Sequence, residues 1–378
     1  MTQQLVLVGG GHSHVHVIKA FGLKPPPDVR ITVICRDRFT PYSGMLPGLV
    51  AGHYKFGDAH IHLARLADFA GADLIEDEVT SIDPRAKRVF YGGGSIDYDF
   101  VSINIGSTPG MATIDGAAEH AVPVKPIGQF LDKWKRLRER IIEADGRLRI
   151  GIVGGGAGGV ELVLAMQYRL GQLVAAHSLA SVPKFTLITA APELLEGLAR
   201  SASRRFTRIL KERWINVELS FHVTRVTANG AGDAAGRWIN LDHVLWVTDA
   251  APATWITESG LATDGQGFVS VTDTLRSASH ETVFAAGDIA SMRNFPRPKS
   301  GVFAVRQGPP LTYNLRAALN GASLRSYRPQ RSVLSLIGTG DRYAVASRGR
   351  WSAEGQWVWR WKEWIDRRFM RRFNDLPN

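Results

Sequence analysis

Leu5-Val6-Leu7-Val8-Gly9-Gly10-Gly11-His12-Ser13-His14 and Arg149-Ile150-Gly151-Ile152-Val153-Gly154-Gly155-Gly156-Ala157-Gly158-Gly159 decide how this chain folds. Each stretch opens with a short apolar run too uniform to be half exposed, passes through a glycine cluster and enters an apolar helical pattern. The reading in both places is strand, tight turn, helix. A second β-rich run follows each helix, Val29 to Cys35 and Lys184 to Thr189, and closes a βαβ unit. Two further buried-type strands, ending in Ile105-Gly106-Ser107 and Thr248-Asp249-Ala250, follow their glycine clusters by about 90 residues, so one plan is used twice. A last strand, from Thr282, ends in Gly287-Asp288.

Glycines at such a turn let the backbone approach a pyrophosphate, whose charge meets the positive end of the helix. Gly9, Gly11, His12, Ser13 and His14 are the candidate contacts in the first copy, and Gly154, Gly156 and Gly159 in the second. His14 stands where a third glycine is usual, which predicts a first helix less closely packed on its strand. His12 and His16 lie one helical turn apart, but no carboxylate or cysteine nearby completes a metal site; they read as phosphate donors or packed side chains. Dinucleotide folds usually end the second strand with an acid that binds ribose. Here Cys35 and Thr189 hold those places. Arg36 and Asp37 are the substitutes in the first copy, and the second leaves NADH against NADPH open.

The 378 residues predict two or three domains, with 44% hydrophobic and 21% charged residues, enough to bury proper cores. Disorder, collagen and a disulfide scaffold are excluded. A single cysteine, Cys35, cannot form an internal disulfide, a CxxC redox pair or a cysteine-rich zinc site, so redox chemistry must sit on a bound cofactor. The start of the chain reads as a first strand and not as a signal peptide, and no run is long enough for a transmembrane helix. The net charge of +11 favours anionic partners without choosing among them.

With these markers in this order, residues 1 to about 320 resemble the pyridine nucleotide-disulfide oxidoreductase superfamily of two-dinucleotide flavoproteins. The resemblance implies an α/β fold with two Rossmann-like dinucleotide-binding domains. The FAD-binding domain spans 1-112 and 265-325, the NAD(P)H-binding domain 113-264, and a C-terminal extension 326-378. It implies FAD contacts at Ser43, Val79, Gly106, Ser107, Val302, Phe303 and Asp288, the last on the ribitol, and an NAD(P)H contact at Asp249. Lys125 is a further candidate near the flavin. The lone cysteine sets aside the disulfide reductases and the sulfide:quinone oxidoreductases, leaving the type II NADH dehydrogenases as most similar. Gly159-Val160-Glu161 matches their pattern, which puts Glu161 near nicotinamide and flavin; a buried helix residue paired with a neighbour is the equal alternative. Gly301 to Gly308 aligns with their quinone-side run. It keeps Gln307 but carries Val302 and Arg306 where glutamines stand, so an anionic acceptor, or stabilisation of anionic reduced flavin, competes with quinone. Thr40 to Gly48, the Gly9-to-His14 turn with its histidines, Val302 to Pro310 and Leu334 to Asp341 resemble the NADH-dehydrogenase-like module fused to selenide, water dikinase. The chain stops at Asn378 without a kinase segment and reads as that module standing alone or as an excised part.

The C-terminal extension holds Trp351, Trp357, Trp359, Trp361 and Trp364 among arginines. Val358, Trp361, Ile365 and Phe369 fall on one helical face. The segment reads either as an amphipathic helix at a membrane or partner surface, or as a helix packing its tryptophans internally. The expected protein is an enzyme: an FAD-dependent NAD(P)H oxidoreductase, with Glu161, Gln307 and Arg306 as catalytic candidates. NADH or NADPH and a small electron acceptor, quinone-like or other, are its ligands. The rival readings are a reductase supplying selenium or sulfur species to a selenophosphate synthase partner, and a non-catalytic FAD-binding docking module. Location is expected to be cytoplasmic, with peripheral contact on the inner face of the cell membrane open. A homodimer is also open, and no nucleic acid is expected.

Overall fold

The computed structural model describes residues 2–248 and 250–377. Its two central sheets have five strands each, all parallel, and share one winding order. In the first, Val283–Ala285, Phe100–Ile103, Gln3–Val8, Val29–Ile34 and Asp73–Ile75 lie side by side. In the second the order is Ala121–Pro123, His243–Trp246, Arg149–Val153, Lys184–Ile188 and Asn216–Glu218. The winding reverses beside the strand that feeds each glycine turn. That crevice, at the carboxyl ends of the strands, is where open α/β sheets take their ligands.

The apolar runs explain the layers. Leu5, Val6, Leu7 and Val8 are at most 1% exposed, because helices cover both faces of a parallel sheet. Burying one such side chain contributes about 2 kcal/mol. Each copy also carries a three-stranded antiparallel appendage, Val79–Asp83 with Arg88–Tyr91 and Gly94–Asp97, and Val223–Thr227 with Gly230–Asp233 and Trp238–Asn240. The duplication thus extends beyond the glycine motifs.

After the helix Gly301–Leu319 the chain forms an antiparallel meander, Ser335–Gly338, Ala344–Arg348 and Trp351–Gly355, and ends in the helix Gln356–Asn374. Here the sequence expectation is corrected. The buried face of the last helix is Val358, Lys362, Asp366, Phe369, Met370 and Phe373, while Trp361 and Ile365 are only half-buried. A lysine and an aspartate one turn apart point inward, because buried charges of opposite sign answer them (below). Trp351, Trp357 and Trp364 are about half exposed, at 49%, 54% and 53%. Among the described residues no helix is long and apolar enough to cross a membrane.

Candidate active site

The first glycine turn is locked to the neighbouring strand end by Asn104. Its Oδ1 accepts from the backbone N–H groups of Ser13 (3.1 Å) and His14 (3.3 Å), its carbonyl accepts from Gly11, and its Nδ2 donates to the Ala286 carbonyl (2.6 Å). A Cβ on Gly11 would sit 2.3 Å from Asn104 Oδ1, so the turn admits no side chain there. Gly9 has φ of +90° and the same crowding. Sequence reasoning missed Asn104; its signal was a polar residue closing an apolar strand.

His14 takes the third glycine's place by crossing beneath the helix. Its Nδ1 lies 2.6 Å from the Gly9 carbonyl and its Nε2 2.8 Å from Ser102 Oγ, so the side chain bridges the turn and the neighbouring strand. In the second copy Gly159 keeps the close approach: a Cβ there would fall 1.8 Å from the Gly154 carbonyl oxygen. Burial pushes the His12, His14 and His16 imidazoles down to about 4, so all three are neutral at physiological pH. His12 and His16 pack on Phe369, with Tyr42 and Phe373 alongside. His12 Nε2 is buried without a hydrogen-bond partner at the start of the first helix. A dinucleotide seated on this turn would supply that partner, and Gly106, at φ +76° with no atom within 4 Å of a Cβ position, leaves space beside it. The residues therefore fit FAD. Arg36 lies 3.5 Å from Asp37 and 3.6 Å from Glu78, next to buried Val79, which groups the adenine-side candidates.

The Gly287-Asp288 turn meets this region from the edge strand. Asp288 Oδ2 accepts from Lys125 Nζ (2.9 Å) and lies 3.3 Å from Ser107 Oγ, so three candidates converge. Gln307, also a candidate, is buried and its Oε1 accepts from the Gly287 N–H (2.6 Å), which makes it a support of the turn. Ser13 Oγ donates to the Ala304 carbonyl (2.6 Å), tying the helix with Val302 and Phe303 to the glycine turn, and a Cβ on Gly301 would stand 2.9 Å from Ser43 Oγ. Arg306 is exposed and is not gathered into this group.

The second glycine turn opens into a cavity of about 500 Å³ lined by Gly154, Gly155, Gly156, Thr189, Ala191, Glu193, Glu196 and Thr248. Gly156 has no atom within 4 Å of a Cβ position, an open cradle of the kind a pyrophosphate needs. Thr189 leaves the strand end without an acid, but Glu193 and Glu196 reach the same cavity from the following loop. The residues fit a nicotinamide dinucleotide. Asp249 lies outside the described residues.

Between the two turns is a buried charge cluster. Glu161, one turn into the helix Ala157–His177, accepts from the Gly338 N–H (2.8 Å) and lies 3.8 Å from Lys362 Nζ. Lys362 donates to Asp366 Oδ2 (2.8 Å) and to the Gly44 carbonyl (2.5 Å). Burial raises the Glu161 carboxyl to about 7, with the Lys362 charge and the Gly338 N–H opposing. Burial works to lower Lys362, but the two carboxylates outweigh it and hold it above its ordinary range. Burial raises Asp366, and its hydrogen bonds with Lys362 and Tyr42 work against that rise. Tyr42 stacks on Phe369, with ring centroids 4.5 Å apart. Lys362 and Asp366 were missed in the sequence because they stand among surface-type arginines; their only signal was the i, i+4 pairing.

Two dinucleotide cradles on duplicated parallel sheets, joined by one polar cluster, define the class. Residues 3–308 match the pyridine nucleotide-disulphide oxidoreductase family, and the chain belongs to it. Among curated proteins it is similar to the NADH dehydrogenase-like protein YutJ of Bacillus subtilis, at 23% identity over 89% of this chain and 90% of that one. It is also similar to a type II NADH:quinone oxidoreductase of Staphylococcus epidermidis, at 21% identity over 91% and 89%. The fold is shared with the sulfide:quinone oxidoreductase of Aquifex aeolicus, with a TM-score of 0.82, 20% identity and coverage of 100% and 93%. It is also shared with NDH2 of Plasmodium falciparum in complex with NADH, with a TM-score of 0.80, 14% identity and coverage of 100% and 99%.

Proposed function

We propose that this chain is an FAD-dependent NADH dehydrogenase similar to the type II NADH:quinone oxidoreductases, with residues 1-112 and 265-325 binding FAD, 113-264 binding NADH and 326-378 closing the site. The observation that carries the reading is Glu161, buried in the helix that follows the second glycine turn and met there by Lys362 and the Gly338 N–H. Bound FAD would supply the two-electron chemistry, since Cys35 alone offers no dithiol.

The chain's own groups do the rest. Gly9 and Gly11 would admit the FAD pyrophosphate, Asp288 would hold the ribitol, and Gln307 keeps that turn in place. Gly154 to Gly156 would seat the NADH pyrophosphate. Glu193 and Glu196 favour the ribose hydroxyls of NADH and repel the extra phosphate of NADPH. Glu161, poised near 7, can hold or release a proton at its carboxyl close to neutral pH, and Lys362 governs which state it takes. Anaerobic stopped-flow tests this reading: NADH should bleach the bound flavin faster than NADPH does, and no bleaching with excess NADH would refute it.

A further inference from the structure

No Asp or Glu occurs between Asp288 and Asp341, a stretch that carries eight Lys and Arg residues. Part of this imbalance is gathered around one cavity of about 440 Å³, walled by Phe295, Pro296, Arg297, Pro298, Arg328 and Arg331. Among the described residues no carboxylate pairs with any of the three arginines. Some arginines elsewhere are answered by a carboxylate, as Arg213 is by Asp341 and Arg149 by Asp242; here three that share one cavity wall are not. Arg297 is fixed by three backbone carbonyls: Nε donates to Gln330 (3.1 Å), Nη1 to Pro296 (2.8 Å) and Nη2 to Pro329 (3.3 Å). Carbonyls orient a guanidinium but leave its charge uncompensated. The Arg328 guanidinium lies 5.5 Å from the centroid of the Phe295 ring.

The cleft also shares wall residues with the space beside Asp288. Phe295, Arg297 and Pro298 wall a second, smaller cavity whose other side includes Asp288, Phe303 and Gln307. From this we infer that the arginine cleft selects the electron acceptor, and that the acceptor is a quinone-like ring bearing an acidic substituent. The inference rests on the dehydrogenase reading above. Phe295 and the two prolines offer a flat apolar wall for a ring. A sulfonate, carboxylate or phosphate gains charge-assisted hydrogen bonds and electrostatic steering there, and a neutral ring gains neither. The overall step balances as NADH, one proton and the quinone giving NAD+ and the hydroquinone; two electrons and two protons reach the quinone oxygens, and the acidic substituent is unchanged.

The test uses the holoenzyme with 1,4-naphthoquinone-2-sulfonate and 1,4-naphthoquinone, comparing wild type with the double variant Arg328→Glu/Arg331→Glu. Because the substituent alters driving force, the readout is the ratio of kcat/KM for the two quinones. The expected result is a fall in that ratio of about tenfold or more in the variant, and a wild-type ratio that declines with added salt. An unchanged ratio overturns the inference. A second arm needs no turnover: fluorescence titration with naphthalene-2-sulfonate should show a Kd about tenfold higher in the variant, and equal binding or none to wild type overturns the inference as well. Flavin bleaching by NADH is recorded in both proteins. Its failure in wild type refutes the dehydrogenase reading, and the titration still decides whether the cleft takes an anion.

Discussion

Lys362→Met removes the only cation within ion-pair distance of Glu161 and Asp366 among the described residues, keeping similar volume and no charge. Both carboxyls are buried, with Lys362 Nζ 3.8 Å and 2.8 Å away. Breaking a buried pair by deleting one partner costs roughly 3–5 kcal/mol, because the surviving charge is left without a partner. For a chain of this length that is a fall in Tm of about 5 °C. The sign of its pH dependence follows from Glu161. Its folded value, about 7, already exceeds the ordinary 4.5, so it favours folding when protonated, and that benefit is lost as pH rises through 7. Lys362 pulls the value down; without it the value climbs further. The variant's deficit should therefore be small near pH 4.5, where the carboxyl is protonated in both proteins, and widen as pH rises through and beyond 7. Differential scanning calorimetry of the holoenzyme from pH 4.5 to 8.5 measures it. Glu161→Gln in the Lys362→Met background should recover more than 1 kcal/mol relative to the sum of the single variants. A pH-independent deficit, or additive single variants, would refute the reasoning.

The second glycine turn separates a packing role from a binding role. Gly159→Ala, whose Cβ would meet the Gly154 carbonyl at 1.8 Å, should lower thermal stability markedly; Gly156→Ala, with open space at its Cβ, should keep Tm within about 1 °C yet raise the KM for NADH about tenfold. Equal Tm losses in a melting comparison would contradict this. The outward Trp357 and Trp364 and the neighbouring arginines suit an anionic lipid surface. In flotation with vesicles of phosphatidylglycerol and phosphatidylcholine, wild type should float, and Trp357→Ser/Trp364→Ser should remain at the bottom with unchanged Tm; no flotation of wild type would rule out this contact.

The pattern of strand, glycine turn and helix was legible because its causes are local. A short run such as Leu5 to Val8, closed at once by a glycine turn, reads as a buried strand, and a turn such as Gly154 to Gly159 carries its steric demand in its own residues. Repetition of the whole pattern then gave the fold class. The site was legible in part. Glu161, Asp288, Ser107 and Lys125 were nominated, and the last three converge, but Gln307 proved to brace the turn and Arg306 stands outside the group. Asn104 escaped notice because its effect depends on a turn about 90 residues earlier in the chain.

The C-terminal helix marks the boundary between the two kinds of knowledge. Its sequence determined an amphipathic helix, and the 3.6-residue period allowed a stripe of Val358, Trp361, Ile365 and Phe369 as well as the adjacent one. Only the tertiary structure chose the adjacent face, because Glu161 and the Gly44 carbonyl, far away in the chain, give Lys362 its partners there, and Trp361 and Ile365 are left half-buried. The same holds for the charge of +11. The sequence determined its size, but only folding, which answered some arginines with carboxylates and left Arg297, Arg328 and Arg331 together without one, decided where that charge can act.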